Sequence, residues 1–197
     1  MKMLHKALAL SVLPLVSATV VVAAPAHAGR ADQPSCPTPT KADVDRSEAT
    51  KHDDPPRGAN ALKGVRFTHL PKGFTTGQVT VNKRRGVTEY SYQWYDDRSE
   101  IDRKHRSLWV RVVCWPKART LSQLKAAPLD LGTFSATEAA KIGGRKVLTK
   151  EGDGALGHGR YVGWVEREGV IVTVMASEPL VPQLDKIVKG IRLPETP

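Results

Sequence analysis

The sequence predicts an α+β domain, an antiparallel sheet covered on one face by a C-terminal amphipathic helix and a short mid-chain helix. Two observations carry that expectation. Apolar and aromatic residues alternate with period two through "GQVTVNKRRGVTEYSYQWYDD", "RSLWVRVVCWP" and "GRYVGWVEREGVIVTVMASEPL", as half-buried strands require. In "PQLDKIVKGIRL", by contrast, Leu184, Ile187, Val188 and Ile191 fall on one face of a helix of period 3.6. The order of elements is several strands, a short helix, more strands and a terminal helix, with no internal repeat, and that order segregates helices from an antiparallel sheet.

The elements follow in turn. Residues 1–6 carry two lysines, residues 7–24 form an apolar stretch broken by Pro14, and Ala26, His27 and Ala28 place small residues two apart before Gly29. This is the pattern of a cleaved signal peptide, residues 1–28, so the chain is expected to be secreted into an extracytoplasmic compartment. The stretch is near the length of a membrane span, but the Ala-x-Ala site and the proline-rich sequence behind it fit processing better than an anchor. Cys36 lies too far along to be the lipidated cysteine of a lipoprotein, and no later segment is apolar for long enough to cross a membrane.

Residues 29–60 hold five prolines among mixed charges, with Val44 as almost the only large apolar residue. They are expected to be a disordered linker. Residues 61–194 then form a single domain and 195–197 a tail. Within the domain, Val65, Phe67 and His69 alternate along a first short strand before the turn at Pro71, Lys72 and Gly73. Thr88, Tyr90, Tyr92 and Trp94 share one strand face. On the next strand Leu108, Val110, Val112 and Cys114 oppose Trp109, Arg111, Val113 and Trp115, and residues 83–86 and 96–106 are the intervening turns. Thr120 caps a short helix through Leu121 and Leu124 that Pro128 ends. Two extended pieces meet at Gly143 and Gly144, and a hairpin turns at Arg167, Glu168 and Gly169. Trp164 is expected to pack toward the terminal helix, which Pro194 stops.

The two cysteines, Cys36 and Cys114, both lie in the exported part of the chain, where an oxidising compartment favours their pairing as a disulfide. Neither sits in a nucleophile motif. Gly152, Gly154 and Gly157 match the G-x-G-x-x-G spacing, but a strand pattern follows where a dinucleotide loop needs a helix, so no cofactor is expected. His52, His69, His105 and His158 form no H-x-x-x-H pair, and Asp53–Asp54 and Asp96–Asp97 sit in no calcium-loop pattern, so no metal site is expected. There is no G-x-S-x-G elbow, and no catalytic residue is nominated; Glu166 and Glu168 read as a solvent-facing strand end.

Charge is the more informative signal. Thirty Lys and Arg against twenty Asp and Glu give a formal charge of +10, which loss of Lys2 and Lys6 with the signal peptide lowers by two. Lys83, Arg84 and Arg85 occupy one turn, and Arg103, Lys104 and Arg106 another. With Tyr92, Trp94 and Trp109 on the intervening strands they are the candidate binding residues, a basic and aromatic surface for an anionic cell-envelope polymer or an envelope protein. Nucleic acid is not expected, since export removes it and no binding motif is present.

From Ile142 onward, "IGGRKVL", "GRYVGWVEREGVIVTVMAS" and "LDKIVKGIRL" succeed one another in an order that resembles small exported bacterial domains associated with anti-sigma factors and envelope lipoproteins, including the MucB-like group. "LPKGF" at residues 70–74 is similar to a turn near their start. The resemblance implies an α+β sheet with no catalytic residues to carry over. The chain lacks a lipobox and any visible sigma-factor-binding segment. The functional expectation is therefore a secreted, non-enzymatic domain that binds a cell-envelope component or protein partner. The alternatives are an exported hydrolase with scattered catalytic residues and an envelope-stress regulatory domain.

Overall fold

The computed structural model describes residues 36–126, 136–152 and 158–194. It begins with an element the composition did not announce, the helix α1 (Lys41–Glu48). Two short strands follow, β1 (His52–Asp53) and β2 (Arg66–Phe67). The alternating segments then form β3 (Thr76–Arg84), β4 (Val87–Tyr95) and β5 (Ser107–Cys114). After a 3-10 turn at Leu121–Ala126 come β6 (Glu138–Ile142), β7 (Arg145–Glu151), β8 (Arg160–Arg167) and β9 (Val170–Ala176). A 3-10 turn at Glu178–Gln183 leads into α2 (Leu184–Gly190) and the short β10 (Ile191–Arg192).

Among the described residues, eight strands form one antiparallel sheet in the order β1-β3-β4-β5-β9-β8-β7-β6, and β10 pairs with β2 apart from it. Two meanders, β3 to β5 and β6 to β9, meet where β5 pairs with β9. Their turns are tight because the sequence supplies glycine where φ is positive: Gly86 between β3 and β4, next to Arg85 at φ 52°, Gly143–Gly144 between β6 and β7, and Gly169 between β8 and β9.

Alternation splits the buried residues into two clusters. Tyr90, Tyr92 and Trp94 of β4, Val110 and Val112 of β5, Trp164 of β8, and Val172 and Val174 of β9 join the larger one. Onto it pack Leu184, Ile187 and Val188 of α2, together with Leu62, Val65 and Phe67. Residues of the opposite parity, Val113, Leu148, Tyr161 and Ile171, join Ala118 and Leu124 in the smaller cluster. The antiparallel sheet with its helices is therefore present. The two helical pieces expected on one face contribute to different clusters, because Leu124 meets side chains one residue out of step with those that α2 meets.

Two boundaries and the placement of one side chain differ from expectation. Residues 36–60, expected as linker, carry α1 and β1 and belong to the same compact unit as the sheet. The terminal helix stops at Gly190 rather than Pro194, and Ile191, counted on its apolar face, is extended opposite Phe67. Glu166 is not solvent-facing: Arg145 Nε lies 3.0 Å from its carboxylate, and the Trp164 indole donates to it. Residues 1–28, 29–35 and 195–197, and Pro128, Gly154 and Gly157, lie outside the described residues. No helix among the described residues is long and apolar enough to cross a membrane.

Candidate functional site

Tyr90, Tyr92 and Trp94 are two apart on β4, so they project together. All three are completely buried, yet each carries a polar atom at its far end that must be satisfied there. Together they hold the preceding segment at Asp43, Asp53, Arg57 and Lys63. The Tyr90 hydroxyl donates to Asp43 Oδ2 at 2.7 Å and accepts the Lys63 backbone N–H at 2.9 Å. The Tyr92 hydroxyl donates to Asp53 Oδ2 and accepts the Arg57 backbone N–H, both at 2.9 Å. Trp94 Nε1 donates to the Arg57 carbonyl at 2.7 Å. Gly77, opposite Trp94 on β3, is glycine because a Cβ there would overlap the Tyr92 ring.

Arg57 links the two carboxylates. Its Nη1 donates to Asp43 Oδ1 at 2.6 Å, and its Nε lies 2.8 Å from Asp53 Oδ2, which belongs to a carboxylate that Arg46 also pairs. Burial by itself pushes the Asp43 carboxyl up, but hydrogen bonds from Tyr90, Arg57 and Thr40 outweigh it and hold the group below its ordinary range. Burial, with the Asp43 carboxylate as acceptor, pushes the Tyr90 phenol well above its ordinary value; Tyr92 is raised in the same way by burial and Asp53. The Cys36–Cys114 disulfide, with Cα atoms 6.0 Å apart, fixes the start of the same segment to the end of β5.

The segment so held walls a cleft of about 830 Å³. Thr40, Ala42 and Asp43 at the start of α1 form one side, residues 60–66 another, and Arg192, Leu193 and Pro194 a third. Its apolar floor is the surface that Ala42, Leu193 and Pro194 expose over the buried Ala61, Leu62 and Val65. Its rim is cationic: Lys63, Arg66 and Arg192 are exposed and make no ion pair among the described residues, whereas Asp43 and Arg57 are committed to each other. The volume lies within the roughly 300–1,000 Å³ typical of small-molecule sites, and the lining, apolar with a few polar groups, is of the same kind.

The candidate residues read from the sequence are not brought together. An antiparallel meander puts successive turns at opposite ends, so Lys83, Arg84 and Arg85 lie at one end of β4 and Arg103, Lys104 and Arg106 at the other. Tyr92 and Trp94 are core anchors facing one side of the sheet. Trp109 faces the other side, with the Arg111 guanidinium 4.8 Å above its ring and Arg111 in turn 3.1 Å from Glu89. Arg106 donates to the Lys72 carbonyl and lies over Phe74. Lys83, Arg84, Arg85, Arg103 and Lys104 remain exposed. Lys63, Arg66 and Arg192 were missed because 63 and 66 sit beside a supposed linker and 192 in a supposed helix; the pairing of β2 with β10 unites Arg66 with Arg192, and the cleft adds Lys63.

Other polar groupings have structural roles. His105 and Asp96 form a buried pair, Nδ1 to Oδ1 at 2.9 Å, and Asp96 Oδ1 also accepts the Arg98 backbone N–H, which closes the β4–β5 connection. The neighbouring Ser107 hydroxyl accepts the Gln93 amide. No group of three or more metal-ligating side chains occurs among the described residues. No protein-family model matches the chain, and no curated protein or solved structure matches it either.

Proposed function

We propose that this chain is an extracytoplasmic binding domain, non-enzymatic, which takes a component of the cell envelope into the cleft between the start of α1, residues 60–66 and residues 192–194. The observation that carries the reading is the cleft itself: an apolar floor, a cationic rim, and a wall fixed by a disulfide and three aromatic anchors. Fixed walls favour binding because little conformational entropy is then lost when a ligand enters. On this reading α2 covers the larger apolar face of the sheet and supports the strand that carries Arg192. The basic turns at residues 83–85 and 103–104 supply separate electrostatic contacts to an anionic envelope polymer.

Ala42 is exposed on α1 and lines the cleft, so Ala42→Trp fills the space without touching the core. The test incubates the purified mature protein with an organic extract of cell envelopes, re-isolates it by gel filtration and identifies retained compounds by mass spectrometry. Wild type is expected to retain a compound that Ala42→Trp does not. Retention of nothing, or equal retention by both proteins, would overturn the proposal.

A further inference from the structure

The cross-strand pairing of β10 with β2 sets Ile191 opposite Phe67 and Arg192 opposite Arg66. Ile191 and Phe67 are buried in the core, so period-two alternation turns both arginines outward, toward the cleft that both line. Directly opposed residues of an antiparallel pair have Cβ atoms about 5 Å apart, and like charges there destabilise the pair. This ribbon has only two residues on each strand with which to offset that repulsion. Neither arginine has a carboxylate partner among the described residues, and Lys63 at the same rim adds a third unpaired cation. Asp43, the one acid among the lining residues, is engaged by Arg57, Tyr90 and Thr40. Beside the three cations lies the apolar floor that Ala42, Leu193 and Pro194 expose over the buried Ala61, Leu62 and Val65.

We infer that Arg66 and Arg192 clamp the anionic head group of an amphiphile whose apolar chain lies in the cleft, with Lys63 as a third cation at the head group. The inference rests on the cleft being a binding site and adds the chemical class of the ligand. An anion between the guanidiniums converts their repulsion into two charge-assisted contacts, and the apolar floor gives the chain a reason to leave water. A bare anion would use the clamp and not the floor; a neutral amphiphile would use the floor and not the clamp.

The test is calorimetric titration of the mature protein, at constant ionic strength and below micellar concentrations, with dodecyl phosphate, dodecyl maltoside and inorganic phosphate. Wild type is expected to bind dodecyl phosphate at least tenfold more tightly than either of the others. In Arg66→Gln/Arg192→Gln that preference over dodecyl maltoside falls at least fivefold, to what Lys63 alone supports, while maltoside binding persists, and without ligand the double variant unfolds at a temperature no lower than wild type because a repulsion has gone. Ala42→Trp weakens both amphiphiles. A double variant that keeps the preference, or a wild type that shows none, overturns the clamp and leaves the cleft as a binding site, provided Ala42→Trp still blocks both detergents. Inorganic phosphate bound as tightly as dodecyl phosphate overturns the amphiphile in favour of a free-anion site. A wild type that binds neither amphiphile overturns the inference, and retention from the envelope extract then decides separately whether the cleft binds anything.

Discussion

Asp43 serves two roles with two oxygens: Oδ2 completes the capping box of α1 and accepts the Tyr90 phenol, while Oδ1 takes the Arg57 guanidinium. Asp43→Ala strands a buried phenol and half of an ion pair. The expected loss of stability is about 3 kcal/mol, the low end for breaking a buried pair, because Arg57 keeps Asp53 and is 28% exposed. Urea midpoints measure it. The same residue sets an acid limb. The folded carboxyl lies below its ordinary value of 3.8, so its stabilisation is complete above that value and disappears as pH falls through the lowered one. Glu166 adds to it with the same sign: burial raises its carboxyl, but hydrogen bonds from Arg145 and Trp164 outweigh that and hold it below 4.5. The contribution of these two carboxyls is therefore expected to be complete above about pH 5 and to be lost as pH falls below about pH 4. The fall should be shallower in Asp43→Asn, and an identical acid limb in that variant would remove Asp43 from the account. In the sequence Asp43 is one acid among several in a polar stretch; its role depends on Tyr90, forty-seven positions away.

At the scale of elements, α1 explains why the N-terminal segment reads as linker. Its one buried residue is Asp43, so it has no apolar stripe, and periodicity detects only apolar stripes. Its attachment is long-range and polar: the disulfide spans 78 positions, and the Val81 backbone N–H donates to Ser47 Oγ at 2.9 Å. Cys36→Ser/Cys114→Ser is expected to lower global stability by about 4 kcal/mol on the chain-entropy account. It should also release α1 first, seen as amide exchange through residues 41–48 while β5 and β9 stay protected. Exchange lost evenly across sheet and helix would contradict that order. The strands were legible because their burial follows a local alternation, and so were the hairpin tips, where Gly143 and Gly169 supply positive φ. Gly143 has a further constraint: a Cβ there would lie 2.9 Å from the Asp185 carbonyl, and its N–H donates to the Asp185 carboxylate at 2.7 Å. Gly143→Ala should cost about 2–6 kcal/mol, from strain plus overlap. Gly144→Ala, with φ of 81° and nothing within 4 Å of the new Cβ, should carry the strain alone, about 1–3 kcal/mol. Equal thermal shifts in the two variants would show that α2 does not press on that turn.

For the whole molecule, the meander decides how the excess of positive charge is presented. β4 is nine residues long, and at about 3.3 Å per residue it separates the turn at residues 83–85 from that at 103–104 by roughly 25–30 Å. Charges that far apart lie beyond the Debye length of about 8–10 Å at physiological salt, so they do not act as one patch. The sequence showed two basic turns flanking aromatic strands but not that the aromatics face inward or sideways; that follows from register and from what Tyr90, Tyr92 and Trp94 anchor. If both turns contact an anionic envelope polymer, they do so as independent sites, and their effects on binding free energy should add. The measurement is co-sedimentation with purified cell envelope across a salt series. Retention should fall with rising salt in wild type, fall further in Lys83→Gln/Arg84→Gln/Arg85→Gln and in Arg103→Gln/Lys104→Gln, and in the combined variant equal the product of the two separate losses. A combined loss much larger than that product would mean one continuous surface, contrary to the topology. Retention indifferent to salt in wild type would remove the polymer contact altogether and leave the cleft between α1 and the β2–β10 ribbon as the proposed site of binding.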